Sequence, residues 1–298
     1  MTVETIEVRR VLVVANPQAR GYAPRKLAAI RTELERSGVD VSLEHSAARG
    51  DIERIVADRG GGFDVVAIHG GDGTINEALA GLRSLSGKRP ALAIVAGGTA
   101  NVLAIETGAG FDARSVARAI LAGRVTPLHY GLVNGRPFVL MASAGLDAAV
   151  VRHTPPRLKA VLGKWAYVAA AFALKREKPT PDLLVTTQGE TIRCRLAICA
   201  NSARYGGDYV IAPETSATRA GLQLVLVTDD SVAALLRLGR RMMTGKPLAG
   251  AGVRTLPAQS ATIAADAAAP AQVDGDAFGQ TPLAVTAAPE PVRMIVGG

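Results

Sequence analysis

The sequence predicts an α/β amino-terminal domain with a parallel sheet, followed by a β-rich antiparallel carboxyl-terminal domain. Three observations predict it. Up to residue 127, apolar runs alternate with stretches of helical spacing. Beyond Arg124 the chain turns to strand candidates, with Asn134-Gly135 set between two apolar runs. The length of 298 residues is about two domains at ~150 residues each. The expected boundaries are 1–127 for the α/β domain and 128–287 for the β-rich domain. Residues 288–298 hold a last strand that is free to return to either domain, the first included.

Val11–Val14 is a continuous aliphatic run, as in a strand buried on both faces. Leu27, Ile30 and Leu34 recur at helical spacing, and Ser37-Gly38 ends that helix. Val39–Leu43 alternates like a strand, and Asp51 is placed to cap a helix carrying Ile52, Ile55 and Val56. Phe63–Ile68 reads as a strand, Ile75–Leu82 as a helix, Ala91–Val95 as a strand and Ala113–Ala122 as a helix stopped by Gly123. Strand–helix alternation with short links implies an open parallel sheet covered by helices. In the second part, Asn134-Gly135 is a hairpin signal. Strand candidates follow at Leu183–Thr187, Ile192–Ala200, Leu222–Val227, Ala261–Ala264, Leu283–Thr286 and Val292–Val296. Helical stretches are expected at Arg157–Lys175 and Ser231–Met243, and Ala264–Ala271 reads as a surface loop.

Composition is that of an ordinary folded protein, 48% hydrophobic and 20% charged. The formal net charge of +8 favours anionic partners. Cys194 and Cys199, read as one strand, fall on opposite faces, so reduced thiols and a cytoplasmic setting are expected. The first residues lack a signal-peptide pattern. The apolar run Trp165–Leu174 is far short of the ~20 residues a spanning helix needs. Any membrane contact is expected to be peripheral.

Gly70-Gly71-Asp72-Gly73-Thr74 follows a predicted strand and opens a predicted helix. Glycines let backbone N–H groups approach a phosphate, and a helix start adds unpaired N–H groups. Asp72 is the informative residue, because a carboxylate beside a phosphate is repulsive unless a cation bridges them. The competing reading is a glycine-rich turn with Asp72 as N-cap of its own helix. Two more polar turns, Asn16–Gly21 and Gly97–Asn101, also follow predicted strands. In a parallel sheet all three would lie at the carboxyl edge, where open α/β sheets bind ligands. The sequence has no Walker-type run, and no dinucleotide fingerprint follows the first strand.

The run Gly70–Glu77, with Gly98-Thr99-Ala100-Asn101 and Asn16-Pro17, resembles the diacylglycerol kinase catalytic family of lipid kinases. The similarity continues through Ala144–Ala148, Lys164–Tyr167, Ala200-Asn201, Tyr205–Gly207, Pro213 and Val273–Asp276. The core motif alone is shared with NAD kinases. The resemblance implies ATP and Mg²⁺ as cofactors. It implies nucleotide binding by Asn16, Ser46, Gly70, Gly71, Asp72, Gly73, Thr74, Ile75, Asn76, Glu77, Gly98, Thr99 and Asn101, with Asp72 near the metal. It also implies Asp276 as general base toward a lipid hydroxyl, so that Asp72 and Asp276 are the expected catalytic pair.

The sequence departs from the family at four places: Asp276 replaces a Glu, Val102 and His129 replace Asp, and Ala220-Gly221 replaces an Asp-Gly of a second metal site. No protein-held structural metal is therefore expected. Asp274-Gly275-Asp276 also reads as a plain hairpin turn. Arg152–Lys178 carries seven basic residues against one acid, with aromatics among them. That suits either an anionic membrane surface or a solvated helix; Ser231–Met243, with Arg237, Arg240 and Arg241, is similar. Nucleic acid is not an expected partner, since no known motif accompanies the charge. The expected activity is ATP-dependent phosphorylation of a lipid hydroxyl, as in diacylglycerol or a sphingoid base. Two alternatives stay open: a soluble-substrate kinase resembling NAD kinase, and an inactive nucleotide- or lipid-binding protein. The lipid's identity and the oligomeric state, a homodimer included, are also open.

Overall fold

The computed structural model describes residues 3–109, 111–145, 181–205, 209–229, 231–244, 248, 250 and 252–297. The expected helix Arg157–Lys175, the basic segment Arg152–Lys178, Leu146–Ala148 and Gly206-Gly207 lie outside the described residues. The chain divides into two compact units.

The first unit comprises Met1–Tyr130, Ala217–Arg219 and Pro289–Gly298. Its elements run β1 (Glu4–Thr5), β2 (Arg10–Ala15), α1 (Pro24–Arg36), β3 (Asp40–His45), α2 (Asp51–Arg59), β4 (Val65–Gly70), α3 (Asp72–Ser84), β5 (Ala91–Ala96), α4 (Val102–Thr107), α5 (Ala113–Ala122) and β6 (Arg124–Leu128). β21 (Val292–Ile295) returns to the same seven-stranded sheet, whose order is β1-β6-β21-β5-β4-β2-β3. β2, β3, β4, β5 and β21 are parallel, with Val11 opposite both Val41 and Val65. β6 and β1 close one edge antiparallel.

Local sequence sets these elements. Pro24 begins α1, where a fixed φ and a missing N–H cost nothing. Leu27, Ile30 and Leu34 form its buried stripe. They pack with Val11, Val13, Val65, Ala67 and Val95 of the sheet and with Val116 and Ile120 of α5. Each such Leu, Ile or Val stabilises the fold by roughly 1.5–3 kcal/mol. The alternate strand residues Leu12, Val14, Val66, Ile68, Leu92 and Ile94 are buried too, so both sheet faces are covered. α2 differs in its start from the expectation. Gly50 is its N-cap, and Asp51 turns back to accept from the amides of Ala47 and Ala48 at 2.8 and 3.0 Å.

The second unit comprises Gly131–Ser216 and Ala220–Ala288. Its elements are β7 (Gly131–Val133), β8 (Arg136–Phe138), β9 (Met141–Gly145), β10 (Leu183–Thr187), β11 (Glu190–Cys194), β12 (Leu196–Ala200), β13 (Arg204–Tyr205), β14 (Tyr209–Val210), β15 (Leu222–Val227), α6 (Val232–Thr244), β16 (Val253–Ala258), β17 (Ser260–Ala265), β18 (Pro270–Val273), β19 (Asp276–Gln280) and β20 (Leu283–Ala287). Two six-stranded antiparallel sheets result, β11-β10-β17-β20-β7-β8 and β16-β15-β12-β9-β18-β19. Val185, Ile263, Val285 and Phe138 from one sheet share a core with Ala142, Cys199, Leu224 and Val273 from the other.

Two expected single strands divide between these sheets. Phe138–Met141 breaks after β8, and Ile192–Ala200 breaks at Arg195, whose N–H donates to Val227 O at 2.7 Å. Cys194 and Cys199 are therefore not on opposite faces of one strand. They sit in different sheets and face the same core as free thiols. Burial pushes each thiol up to about 12, so neither is a nucleophile at neutral pH. Asn134 and Gly135 take the two positive φ values, 48° and 81°, that their hairpin requires.

Candidate functional site

α1 leads from β2 outward to β3, and α2 then crosses to β4 on the other side of β2. Strand order therefore reverses between β2 and β4. In open α/β sheets the crevice beyond the carboxyl ends at such a reversal is where ligands bind. The turns after β2, β4 and β5 lie side by side there, because these three strands are parallel neighbours.

Asn16 joins two of the turns. Its backbone N–H donates to His69 O at 2.9 Å, its Nδ2 donates to Thr74 Oγ1 at 3.4 Å, and its Oδ1 accepts from Gln18 N at 2.9 Å. The glycines are required by close packing. A Cβ on Gly70 would lie 2.4 Å from Thr74 Oγ1, and one on Gly98 would lie 2.4 Å from Gly71 Cα. The β4 and β5 turns thus touch backbone to backbone.

Asp72 is the first residue of α3, whose N-cap is Gly71. It does not cap its own helix, as the competing sequence reading had it. Its Oδ2 and Oδ1 accept from the amides of Val102 and Leu103 at 3.2 and 3.1 Å, the first turn of α4. Asn101, which would ordinarily cap α4, has a left-handed φ of 47°. Its side chain is used on the turn instead: Oδ1 accepts from Gly98 N at 2.7 Å and Nδ2 donates to Gly98 O at 2.9 Å. Burial pushes the Asp72 carboxyl above the ordinary carboxylate range, and the two α4 amides offset part of that. A carboxylate offers about four acceptor sites, so Asp72 keeps a lone pair for a cation beside its amide partners.

The remaining expected residues differ in exposure. Gly73 and Thr99 are exposed, Asn76 and Glu77 are half-buried, and Thr74 is buried. Ile75 is buried, so only its backbone can face a ligand. Ser46 is also buried; its N–H donates to Ala15 O at 2.9 Å. Val102 is packed in the core, which gives an apolar reason for its place.

Asp276, in the second unit, is exposed at the start of β19. Asp274 and Gly275, at φ 49° and 88°, make the two-residue turn before it. Asp274 accepts from the amides of Val139, Leu140 and Met141 at 2.9, 2.9 and 2.7 Å, where the chain passes from β8 to β9. Gln272 accepts from Gly275 N and donates to Ser143 Oγ. The hairpin bearing Asp276 is therefore pinned at its turn.

Two polar residues of the carboxyl edge were not singled out by sequence reasoning. Lys26 donates to Ala96 O at 3.0 Å, and its partial burial pushes the ammonium pKa down. His69 is fully buried with both ring nitrogens bonded to backbone. A run of three glycine-type turns gave no signal for either. At the opposite, amino edge of the sheet lies a cavity of about 490 Å³ lined by Glu7, Arg9, Asp64, Lys88 and Arg293 among others. Arg9 is paired with Glu7 and Lys88 with Asp64, so its charges are already neutralised against one another, whereas the carboxyl edge holds backbone turns beside a carboxylate. Among the described residues there is no group of three or more His, Cys, Asp or Glu that could hold a metal. No helix among them is long and apolar enough to cross a membrane.

The fold defines a class. A crystal structure of a candidate diacylglycerol kinase from Bacillus anthracis superposes with a TM-score of 0.81, at 23% identity, over 98% of each chain. The chain is thus of the two-domain type in which a parallel α/β domain is followed by an antiparallel sandwich. Residues 10–133 match the diacylglycerol kinase catalytic domain, and residues 141–296 match the YegS C-terminal NAD kinase beta sandwich-like domain. The chain belongs to the diacylglycerol kinase catalytic family, a family of lipid kinases. Diacylglycerol kinase of Bacillus subtilis (strain 168) is 28% identical over 252 residues, 80% of each chain. That of Staphylococcus saprophyticus is 25% identical over 281 residues, 92% of this chain and 91% of its own.

Proposed function

We propose that this chain transfers the γ-phosphoryl group of ATP to the hydroxyl of a lipid of the diacylglycerol or sphingoid-base type. The observation that carries this is the meeting of three glycine-bearing turns at the strand-order reversal, with the Asp72 carboxylate among them. In this reading residues 1–127 with 288–298 bind the nucleotide, and residues 128–287 supply the lipid site. Asn16, Ser46, Gly70–Glu77, Gly98, Thr99 and Asn101 form the nucleotide side: the turn amides cradle the phosphates, and Asn101 and Asn16 hold the turns. Asp72 would hold a Mg²⁺, which supplies charge neutralisation on the phosphates. A lone carboxylate suits this ion, which is commonly held by one or two carboxylates plus phosphate oxygens.

Asp276 takes the proton of the acceptor hydroxyl as its oxygen bonds to the γ-phosphorus. The bond from that phosphorus to the β–γ bridging oxygen breaks, and ADP leaves. Positioning and charge neutralisation provide most of the acceleration. The basic segment Arg152–Lys178 draws the protein to an anionic membrane surface. The test is transfer of label from γ-labelled ATP, with Mg²⁺, to a panel of diacylglycerol, sphingosine, ceramide, phosphatidylglycerol and NAD. Label in a lipid, lost in Asp72→Asn, supports the proposal. Label in NAD alone, or nucleotide binding without transfer to any acceptor, contradicts it.

A further inference from the structure

His69 is the next-to-last residue of β4, directly before Gly70-Gly71, and is fully buried. Its ring lies among three segments. Nδ1 is 3.0 Å from Val95 O on β5, and Nε2 is 3.1 Å from Ala23 N at the start of α1. A carbonyl can only accept and an amide N–H can only donate, so the backbone fixes the tautomer: Nδ1 carries the hydrogen and Nε2 is the acceptor. The ring also fills the space beside Gly97, where a Cβ would lie 2.4 Å from its Cε1. Gly21, two residues before Ala23, donates to Gly97 O at 2.9 Å, and a Cβ there would lie 2.8 Å from the same oxygen. One imidazole thus ties the turn after β2 to the turn after β5 across β4.

We propose that His69 is a positioning residue for the nucleotide: as a neutral ring it clamps the Gln18–Ala23 turn against the Gly97 turn and so sets the width of the crevice. This rests on the reading that the carboxyl edge binds ATP. The ring touches no expected phosphate position itself and acts through the two turns. Protonation would put an N–H against the Ala23 N–H and open the clamp. The surroundings favour the neutral ring. Lys26 of α1 adds a positive charge nearby, and burial and that charge lower the pKa of His69. The Tyr22 ring lies 5.9 Å away, and its hydroxyl engages His45 of β3. Asp112, before α5, acts on Lys26. From β5 the Val95 carbonyl meets the ring, and Gly97 just past the strand packs against it.

Two substitutions separate the halves of the clamp. His69→Asn can keep a donor near the Nδ1 position and loses the acceptor for Ala23. His69→Gln can place an acceptor near the Nε2 position. Amide hydrogen exchange at Ala23 and calorimetric affinity for ATP with Mg²⁺ are measured on both and on the unaltered chain. In His69→Asn, Ala23 loses protection and ATP binds about tenfold more weakly, the effect of one hydrogen bond. In His69→Gln most of both is recovered. In the unaltered chain, affinity and Ala23 protection fall together as pH falls from 7.5 to 5.5, which gives the same comparison without a substitution if a variant fails to fold. Unchanged Ala23 exchange in His69→Asn overturns the clamp. An open Ala23 with ATP affinity within twofold overturns the positioning role. No ATP binding by the unaltered chain overturns the functional reading and the positioning role with it, while Ala23 exchange still records the clamp.

Discussion

Asp72, His69 and Asp276 sit in different surroundings, and each responds to a different measurement. The Asp72 carboxyl is raised by burial, so the folded chain holds its proton more readily than the unfolded chain does. Its contribution to stability is therefore full below the ordinary aspartate value of ~3.9 and is lost as pH rises through the raised one. Cation binding runs the other way, because it needs the charged form. Mg²⁺-dependent ATP affinity is expected to fall on acidification into that window. In Asp72→Asn it should be weak at every pH, with transfer down by at least ~100-fold. His69 has the opposite sign: its pKa is lowered, so its contribution is present above the ordinary ~6.5 and is lost as pH falls toward the folded value. Thermal melts between pH 7.5 and 5.5 should show a drop that His69→Gln flattens. Asp276 is exposed, and as a general base its removal in Asp276→Ala should lower kcat by ~10²–10⁴-fold while ATP affinity is unchanged. Transfer that survives this change removes Asp276 from the chemistry.

Turns and strand ends carry the next set of consequences. In Gly98→Ala the new Cβ would meet Gly71 Cα at 2.4 Å, backbone that cannot yield, so the β4 and β5 turns must separate. ATP affinity should drop by tenfold or more with the sandwich intact, read by calorimetry beside near-UV circular dichroism. Asp274→Ala removes the acceptor of three amides. At roughly 1–3 kcal/mol for each buried donor left unpaired, the second unit should melt several degrees lower. The parallel strands were legible because burial on both faces writes them as unbroken apolar runs, as in Val11–Val14 and Ala91–Val95. The strand pattern misled at Phe138–Met141, where an apolar run continues while the chain changes sheets, and at Ile192–Ala200, where the alternation through Arg193 and Arg195 leads straight into the apolar run Leu196–Ala200. Only the partner at each corner, Asp274 or Val227, marks the break. β16 contains Pro257, and β18 lies in an Ala-rich stretch, so pairing rather than propensity makes them strands. Within the site the glycine turns could be read directly. That Asp72 caps α4, and that His69 bridges to Ala23, depends on contacts between turns, which spacing does not encode.

In the molecule as a whole the amino-terminal unit is not one stretch of chain. β21 lies between β5 and β6, with Val292, Met294 and Ile295 buried. Deleting residues 289–298 takes a central strand from that sheet. Hydrogen exchange should then show β2, β4 and β5 unprotected while β10, β15 and β17 stay protected; protection of both sets would mean that the α/β unit closes without its returning strand. The net charge of +8 and the basic segment Arg152–Lys178 act at this scale as well. Sedimentation with vesicles should increase with anionic lipid content and weaken with salt. The most direct test of the central claim is backbone amide exchange with and without ATP and Mg²⁺. Slower exchange at 16–21, 70–76 and 97–101 is the result expected of a nucleotide at the carboxyl edge. Protection instead around Arg9, Lys88 and Arg293 at the amino edge, or at neither edge, would contradict it.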